Sequence, residues 1–512
     1  MSYSLLLIGV GLVVAYLITI SCYRLFFSPL AKFPGPKLAA LTLWYEFWYD
    51  VVKRGQYLFK IKEMHDRYGP IVRISPYELH VNDPNFLPVL YAGGSKRRDK
   101  YAWALRLFGS SGASIATASH DVHRMRRGAM NRYFSKESVR RLEPIIQSNF
   151  EKLLQKLAEY KGSTKPLNVN LPFSAFTSDI ITEYCFGKSH NWLDRPGFNE
   201  KFIEMMASVH DMAALAKQFW FVMPLIDMLP DSLAESVDPG MQSFIQFRRE
   251  MRNQIDEIQK SRAKGEKPQT SMNATVFDSI LDSDLPEHEK EMERLWQEAQ
   301  VICIAGTETT AWALSVVTFH LLSSPQVLRT LREELEAAIA EPSQSVETKD
   351  LEKLPYLTAI IQEGLRLSFG VSTRLQRVCP DETLTFDDGK KQWSVPPGTP
   401  VGMSCALVHL NPDIFPDPLV FDPERWIKEP QLSRYLCSFA KGSRQCLGIN
   451  LAYAQLYLCV AGIFRRYGGP GNPGPSGYFE LFETTHEDVE LKYDLFVPFP
   501  KQGSKGVRVL VK

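Results

Sequence analysis

Ser438-Phe439-Ala440-Lys441-Gly442-Ser443-Arg444-Gln445-Cys446-Leu447-Gly448 decides how this chain is read. It opens an apolar helical pattern expected over about residues 446–467, which places Cys446 at a helix N-terminus. Unpaired N–H groups and the positive end of the helix dipole favour a thiolate there. Gly442 and Gly448 let the backbone turn sharply and approach a cofactor closely. Arg444 supplies a guanidinium for a carboxylate. The competing reading, a structural buried cysteine, suits Cys303 and Cys459 better than Cys446.

The other cysteines point the same way. Eight are scattered at 22, 185, 303, 379, 405, 437, 446 and 459 with no C-x-x-C pair. That argues against a zinc site or a disulfide framework and for reduced thiols, one of them a lone metal ligand. A formal net charge of +1 gives no support to a nucleic-acid partner. With 45% hydrophobic and 23% charged residues the chain is globular in composition.

No charge occurs from Met1 to Tyr23, and Leu5–Val10 and Leu12–Ile20 are nearly all apolar. About twenty such residues span a bilayer as a helix. A cleaved signal peptide would show a basic leader and a small-residue cleavage site, and neither is present. Residues 1–27 therefore read as a transmembrane anchor, 28–40 as a proline-rich hinge and 41–512 as the catalytic domain. Arg24, Lys32 and Lys37 follow the span and place the rest of the chain on the cytoplasmic side. The sequon Asn273-Ala274-Thr275 is then expected to stay unmodified.

A strand pair is expected at Ile71–Ile74 and Glu78–Asn82. Helices dominate from Ser119 to His320, including 139–160, 241–260 and a long one near 289–322, with another at 354–367. Short β pieces follow at 373–378, 384–386 and 399–403. The Gly/Pro-rich run from Gly468 to Gly477 reads as an exposed loop, its prolines lacking the donors of a phosphate cradle. The fold class is mainly α with minor β.

The Cys446 string is similar to the haem-binding loop of the cytochrome P-450 family, F-x-x-G-x-R-x-C-x-G. Phe439, Gly442, Arg444, Cys446 and Gly448 fill its fixed positions. The resemblance implies the single-domain P-450 fold behind a membrane helix, and haem b as cofactor with Cys446 as its axial ligand. Ala305-Gly306-Thr307-Glu308-Thr309 resembles the family's distal helix, A/G-G-x-D/E-T/S. It implies that Thr309 meets bound dioxygen and that Glu308 feeds protons, the pair O–O cleavage requires. Ile302, Ala305, Gly306, Thr309 and Ala313 are expected on one face, with a kink near Gly306 admitting water.

Glu363-Gly364-Leu365-Arg366 and Pro423-Glu424-Arg425-Trp426 resemble the family's E-x-x-R and P-E-R-F/W elements. They imply a buried structural network of Glu363, Arg366 and Arg425. His123, Arg127 and Arg374 are expected with Arg444 at the haem propionates, while Arg124 and Arg126 read as exposed cations. Trp103, Phe108, Ile115, Ile302, Ala305, Val371, Ser372 and Phe496 are the expected substrate pocket, mostly apolar.

Several strings resemble fungal microsomal members of the trichodiene oxygenase type. They imply a monooxygenase of the endoplasmic reticulum membrane, single-pass, acting on a terpenoid, polyketide or alkaloid. Electrons would come from a separate NADPH-cytochrome P-450 reductase, docking near Lys441, Arg124 and Arg126. Two other functions stay open. A haem-thiolate isomerase or dehydratase would turn over without reductase, and a haem carrier would not respond spectrally to apolar ligands.

Overall fold

The computed structural model describes residues 2–228, 230, 233, 238–265 and 275–512. Asn273 and Ala274 of the sequon lie outside them. Eleven long helices are numbered here: α1 Ser2–Cys22, α2 Tyr57–Tyr68, α3 His120–Asn131, α4 Lys136–Glu159, α5 Asn170–Phe186, α6 Lys201–Gln218, α7 Pro239–Ala263, α8 Met292–Ser323, α9 Pro325–Ala338, α10 Pro355–Ser368 and α11 Ile449–Arg466. Two small sheets flank them. In one, β1 Ile71–Arg73 and β2 Leu79–Val81 pair antiparallel, and β2 runs parallel to β7 Pro400–Gly402, which pairs with β4 Arg377–Val378. In the other, β3 Leu167–Asn168, β12 Arg508–Val511, β9 Gly477–Leu481 and β8 Tyr467–Gly468 follow in that order. Two hairpins complete the strands: β5 Leu384–Asp387 with β6 Gln392–Val395, and β10 Tyr493–Leu495 with β11 Val497–Phe499.

α8 is the spine of the molecule. It is long and apolar enough to cross a bilayer, but most of it is buried among the other helices. α5 packs most intimately on it. A Cβ at Gly306 would lie 2.9 Å from Cγ1 of Ile181 on α5, and the Thr177 hydroxyl donates to the Thr307 carbonyl at 2.9 Å. Gly306 is therefore a point of close helix contact, and the chain stays helical through it.

α1 stands clear of the body, with nothing of the span from Leu5 to Phe27 buried, and the helical turn Tyr23–Phe27 behind it makes the first contacts through Arg24. The expected hinge behaves differently. Leu30 and Phe33 are buried, Phe33 stacks on Trp393 at 5.3 Å, and the Arg73 N–H donates to the Pro34 carbonyl at 2.7 Å. Arg24 donates to the Leu41 carbonyl at 2.5 Å and to the Tyr77 hydroxyl at 2.7 Å. Apolar burial and satisfied backbone groups pin this segment to the β1 edge. The Gly/Pro run is an exposed or half-buried loop over most of its length, as expected, with its first two residues tucked in. Gly468 and Gly469 are buried, and Arg332 donates to the Asn472 carbonyl at 2.7 Å.

Candidate functional site

The Cys446 loop is closed by a hydrogen bond from the Cys446 N–H to the Phe439 carbonyl at 2.9 Å. Gly442 has φ +73°, and a Cβ there would sit 2.1 Å from the Tyr91 carbonyl oxygen, so no other residue fits. Gly448 is different: nothing lies within 4 Å of a Cβ built on it. Protein packing gives no reason for that glycine, whereas a flat group against the neighbouring sulfur does. Phe439 is half-buried on Tyr453, with ring centroids 5.2 Å apart. α11 begins three residues past Cys446.

Cys446 is exposed, while Cys185, Cys303, Cys379, Cys405, Cys437 and Cys459 are buried. Its sulfur sits in a recess, and desolvation there raises the thiol pKa above its ordinary value. The Gly448 N–H and Arg127 pull the other way without prevailing. The helix terminus alone does not make a thiolate here; coordination to a metal ion would.

A second feature is a pocket of basic side chains with, among the described residues, no carboxylate in direct contact with Lys100, Arg127, Arg377 or Arg444. Lys100, His123, Arg127, Arg377 and Arg444 face one another closely enough that several depress each other's protonation. Burial lowers Lys100 well below the ordinary lysine range, and Arg377, Arg444 and Arg127 add to it. Burial, then Arg444, Lys100 and Arg127, push His123 down to about 2. Burial and Arg377 bring Arg444 down to about 10, with Asp99 opposing. Among the described residues, none of Lys100, Arg127, Arg377 and Arg444 is in an ion pair. Arg444 donates to the Thr117 and Ala118 carbonyls at 2.8 and 2.7 Å, and its Nε is buried without a partner. Arg127 donates to the carbonyls of Gln445 and Cys446. Desolvated basic groups gain from an anion, and the carboxylates of a bound cofactor would supply it.

Arg374 is not among these cations. Its guanidinium is held by Glu78 at 2.8 Å and Glu46 at 2.7 Å, in a buried cluster that also takes in Lys217. Arg377, three residues on and 2% exposed, occupies the place expected of Arg374. Arg377 opens β4 while Arg374 lies before it, bridged to Ser404, and its guanidinium is taken by Glu46 and Glu78. Lys100 was hidden by its sequence context, Lys96-Arg97-Arg98-Asp99-Lys100, which reads as a solvated charge run.

On α8, Ala305 is exposed and Ile302 and Thr309 are half-buried, so these form the open face. Gly306 points at Ile181 and Ala313 is buried in the core, which removes them from it. The Thr309 hydroxyl donates to the Ala305 carbonyl at 2.9 Å. Glu308 is held by His210 of α6, whose Nε2 lies 2.8 and 3.0 Å from its two oxygens.

Glu363 and Arg366 are fully buried and joined at 2.7 and 2.8 Å. Arg425 Nε donates to Glu363 at 3.1 Å, Trp426 Nε1 at 2.9 Å and the Asp422 N–H at 2.9 Å. Arg366 also donates to the carbonyls of His409, Pro418 and Val420, stitching down the irregular stretch that precedes the Cys446 loop. Behind that loop Cys405, His409 and Cys437 cluster. The His409 Nδ1 donates to the Arg366 carbonyl at 2.9 Å and Nε2 accepts the Cys437 N–H at 3.0 Å. Both ring nitrogens are thus engaged, and this cluster is a structural brace.

Around the pocket, Phe108 and Phe496 meet edge to face at 5.2 Å, and the Lys217 ammonium lies over Trp103 at 5.4 Å. Ile115 and Val371 are half-buried; the Ile115 carbonyl accepts from Lys100 at 2.6 Å. Ser372 is fully buried and donates to Asp494 at 2.7 Å, so it stands behind the wall and not on it. Arg126, expected exposed, is half-buried and paired with Glu289 at 2.7 Å; Arg124 is exposed.

An accessible thiol, a glycine beside it with open space over its α-carbon and a pocket of basic side chains out of contact with carboxylates fit an iron porphyrin with thiolate ligation. These define a haem-thiolate oxidoreductase. The chain matches the family model for cytochrome P-450 over residues 34–468 and belongs to that family. It is 46% identical to the cytochrome P-450 monooxygenase tpcC of Cochliobolus heterostrophus, over 97% of this chain and 95% of that protein. It is 42% identical to the tryptophan 6-hydroxylase fscE of Fusarium equiseti, over 98% and 96% of the two chains. It is 40% identical to the N-acetyltryptophan 6-hydroxylase ivoC of Emericella nidulans, over 99% and 97%. The protein is thus a haem-dependent monooxygenase like those of fungal secondary metabolism, requiring dioxygen and a redox partner.

Proposed function

We propose that this enzyme inserts one oxygen atom from dioxygen into a hydrophobic specialised metabolite (a terpenoid, polyketide or alkaloid), with electrons from a separate NADPH-dependent reductase. The observation that carries the reading is the pairing of the accessible Cys446 sulfur with the cation pocket. The aromatic wall of Trp103, Phe108 and Phe496 favours a flat or polycyclic substrate. The two tryptophan-hydroxylating relatives put indoles among the compounds to try. Product analysis under labelled dioxygen, across indoles, terpenoids and polyketides, tests the reaction class. Turnover without label incorporation would replace it with an isomerase or dehydratase.

Once bound, the haem supplies the site where dioxygen is reduced and cleaved. The chain's own residues do the rest. Cys446 would hold the group through its sulfur, and Arg377, Arg444, Lys100, His123 and Arg127 would hold its carboxylates. Replacing Arg377 or Arg444 by alanine is expected to speed haem transfer to an acceptor protein several-fold. Arg374→Ala, by contrast, lowers the melting temperature without speeding transfer. Equal transfer from all three variants would undo the assignment.

Thr309 presents a hydroxyl on the open face of α8 once it turns from the Ala305 carbonyl, and Glu308 next to it resupplies the proton. Thr309→Ala is expected to divert most reducing equivalents to peroxide while haem content stays at the parent level. Peroxide release equal to the parent's would count against that role.

We further infer a membrane anchor at residues 1–27, a docked segment at 28–40 and a cytosol-facing catalytic domain at 41–512, in the endoplasmic reticulum membrane with a single pass. The body also carries its own exposed apolar patch. Trp44, Trp48, Trp220, Phe221, Leu225 and Met228 are all exposed, and Phe219 packs on both Trp44 and Phe47 to join the two segments. Deleting residues 1–27 is therefore expected to leave a protein that still binds vesicles reversibly, released by mild detergent. Complete recovery in the soluble fraction would show that the patch does not touch lipid. The exposed Arg124, with Lys441 near the Cys446 loop, supports reductase docking on that face, whereas Arg126 is already committed to Glu289.

A further inference from the structure

Glu308 does not stand free beside Thr309. Its two oxygens share the Nε2 of His210, which is buried to 5% exposure near the middle of α6. A carboxylate can only accept, so Nε2 carries the proton in this contact. The ring is backed by Phe499 of β11, edge to face at 5.4 Å, and cannot swing away without opening that packing. Two turns further along α6, Lys217 is bound to Glu46 at 2.6 Å and Asp50 at 2.9 Å and covers Trp103. Residues seven apart share a helix face. One face of α6 therefore ties to α8 through His210 and to the pocket wall through Lys217.

We propose that His210 is the positioning residue for Glu308, and that through it the proton-supplying acid is tied to the placement of α6. The inference rests on the reading of Glu308 as that acid. A half-buried carboxylate beside a mostly apolar pocket needs a fixed donor to remain in one place, and His210 is the donor this chain provides. It follows that a ligand filling the space by Trp103 presses on the helix that holds the acid.

The test needs no knowledge of the substrate. The haem-loaded full-length protein and an NADPH-dependent reductase are allowed to consume dioxygen without substrate, and NADPH and dioxygen are both counted. Reduction to peroxide uses one NADPH and one proton per dioxygen; reduction to water uses two NADPH and two protons. The ratio reports whether protons reach the oxygen that must leave. A second readout is amide hydrogen exchange in residues 205–215 of the resting protein.

His210→Ala is expected to raise the peroxide share several-fold and to speed exchange in that stretch of α6. His210→Gln, which keeps a donor but cannot titrate, is expected to restore most of both. Adding Glu308→Gln to His210→Ala should change neither readout much further. A glutamine variant that behaves like alanine, or an alanine variant with the parent's ratio, overturns the proposal. If Glu308→Gln alone leaves the ratio unchanged, the reading of Glu308 fails first, an outcome distinct from failure at His210.

Discussion

Cys446→Ala abolishes thiolate ligation and reduces monooxygenase activity to background, the largest functional loss expected from any single substitution here. The reasoning is spatial as well as chemical. Six of the other seven cysteines are buried, and the remaining one, Cys22, ends the anchor helix, so no sulfur can take over. Desolvation in its recess raises the Cys446 thiol, so under the proposed ligation the iron and the thiolate would stabilise each other. The reduced, carbon-monoxide-bound spectrum checks this directly. A variant that kept the thiolate Soret band would remove Cys446 from the site.

The second large effect is structural. Glu363→Ala strips the acceptor from Arg366, Arg425, the Trp426 indole and the Asp422 N–H at once. Two guanidinium groups, one with no exposed surface and the other 7% exposed, are left without their carboxylate. Breaking a buried pair by removing one partner costs about 3–5 kcal/mol, a large part of the roughly 5–15 kcal/mol that stabilises a typical domain. The expected result is little or no soluble haem protein at 37 °C, with a strongly lowered melting temperature for any that is recovered. Glu363→Gln, which keeps the shape and one acceptor oxygen, should be milder. A melting temperature within a degree of the parent would show that the network is ornamental.

How much of this was legible in the sequence varies with the range of the contacts involved. The long helices follow from apolar periodicity, and their ends fell within a few residues of expectation: 354–367 became Pro355–Ser368, and 289–322 became Met292–Ser323. The Cys446 loop was legible because its constraints are local. Gly442 has a left-handed φ and a carbonyl against its α-carbon, and such demands leave a fixed mark in the residue string. Long-range contacts leave none. Nothing around residue 210 tells of Glu308, ninety-eight positions away. Lys100 sits in a run of charges that gives no sign it is buried. The choice between Arg374 and Arg377 depends on the distant Glu46 and Glu78, which take Arg374, and the sequence shows two arginines three apart with equal claims. Gly306 is ambiguous for a related reason: a helix glycine signals a kink, a close neighbour or both, and the contact with Ile181 leaves no mark in the sequence nearby.

The pinned segment after the anchor has a further consequence for geometry. Where a floppy tether would let the catalytic body wander over a hemisphere above the bilayer, Arg24, Pro34 and Phe33 clamp the chain within a few residues of the lipid boundary. Under the proposed anchoring, the body would be held at a restricted tilt to the bilayer. A greasy compound already dissolved among acyl chains would meet the protein there without first crossing water. Its concentration at the doorway would be set by partitioning, not by what the cytosol can dissolve.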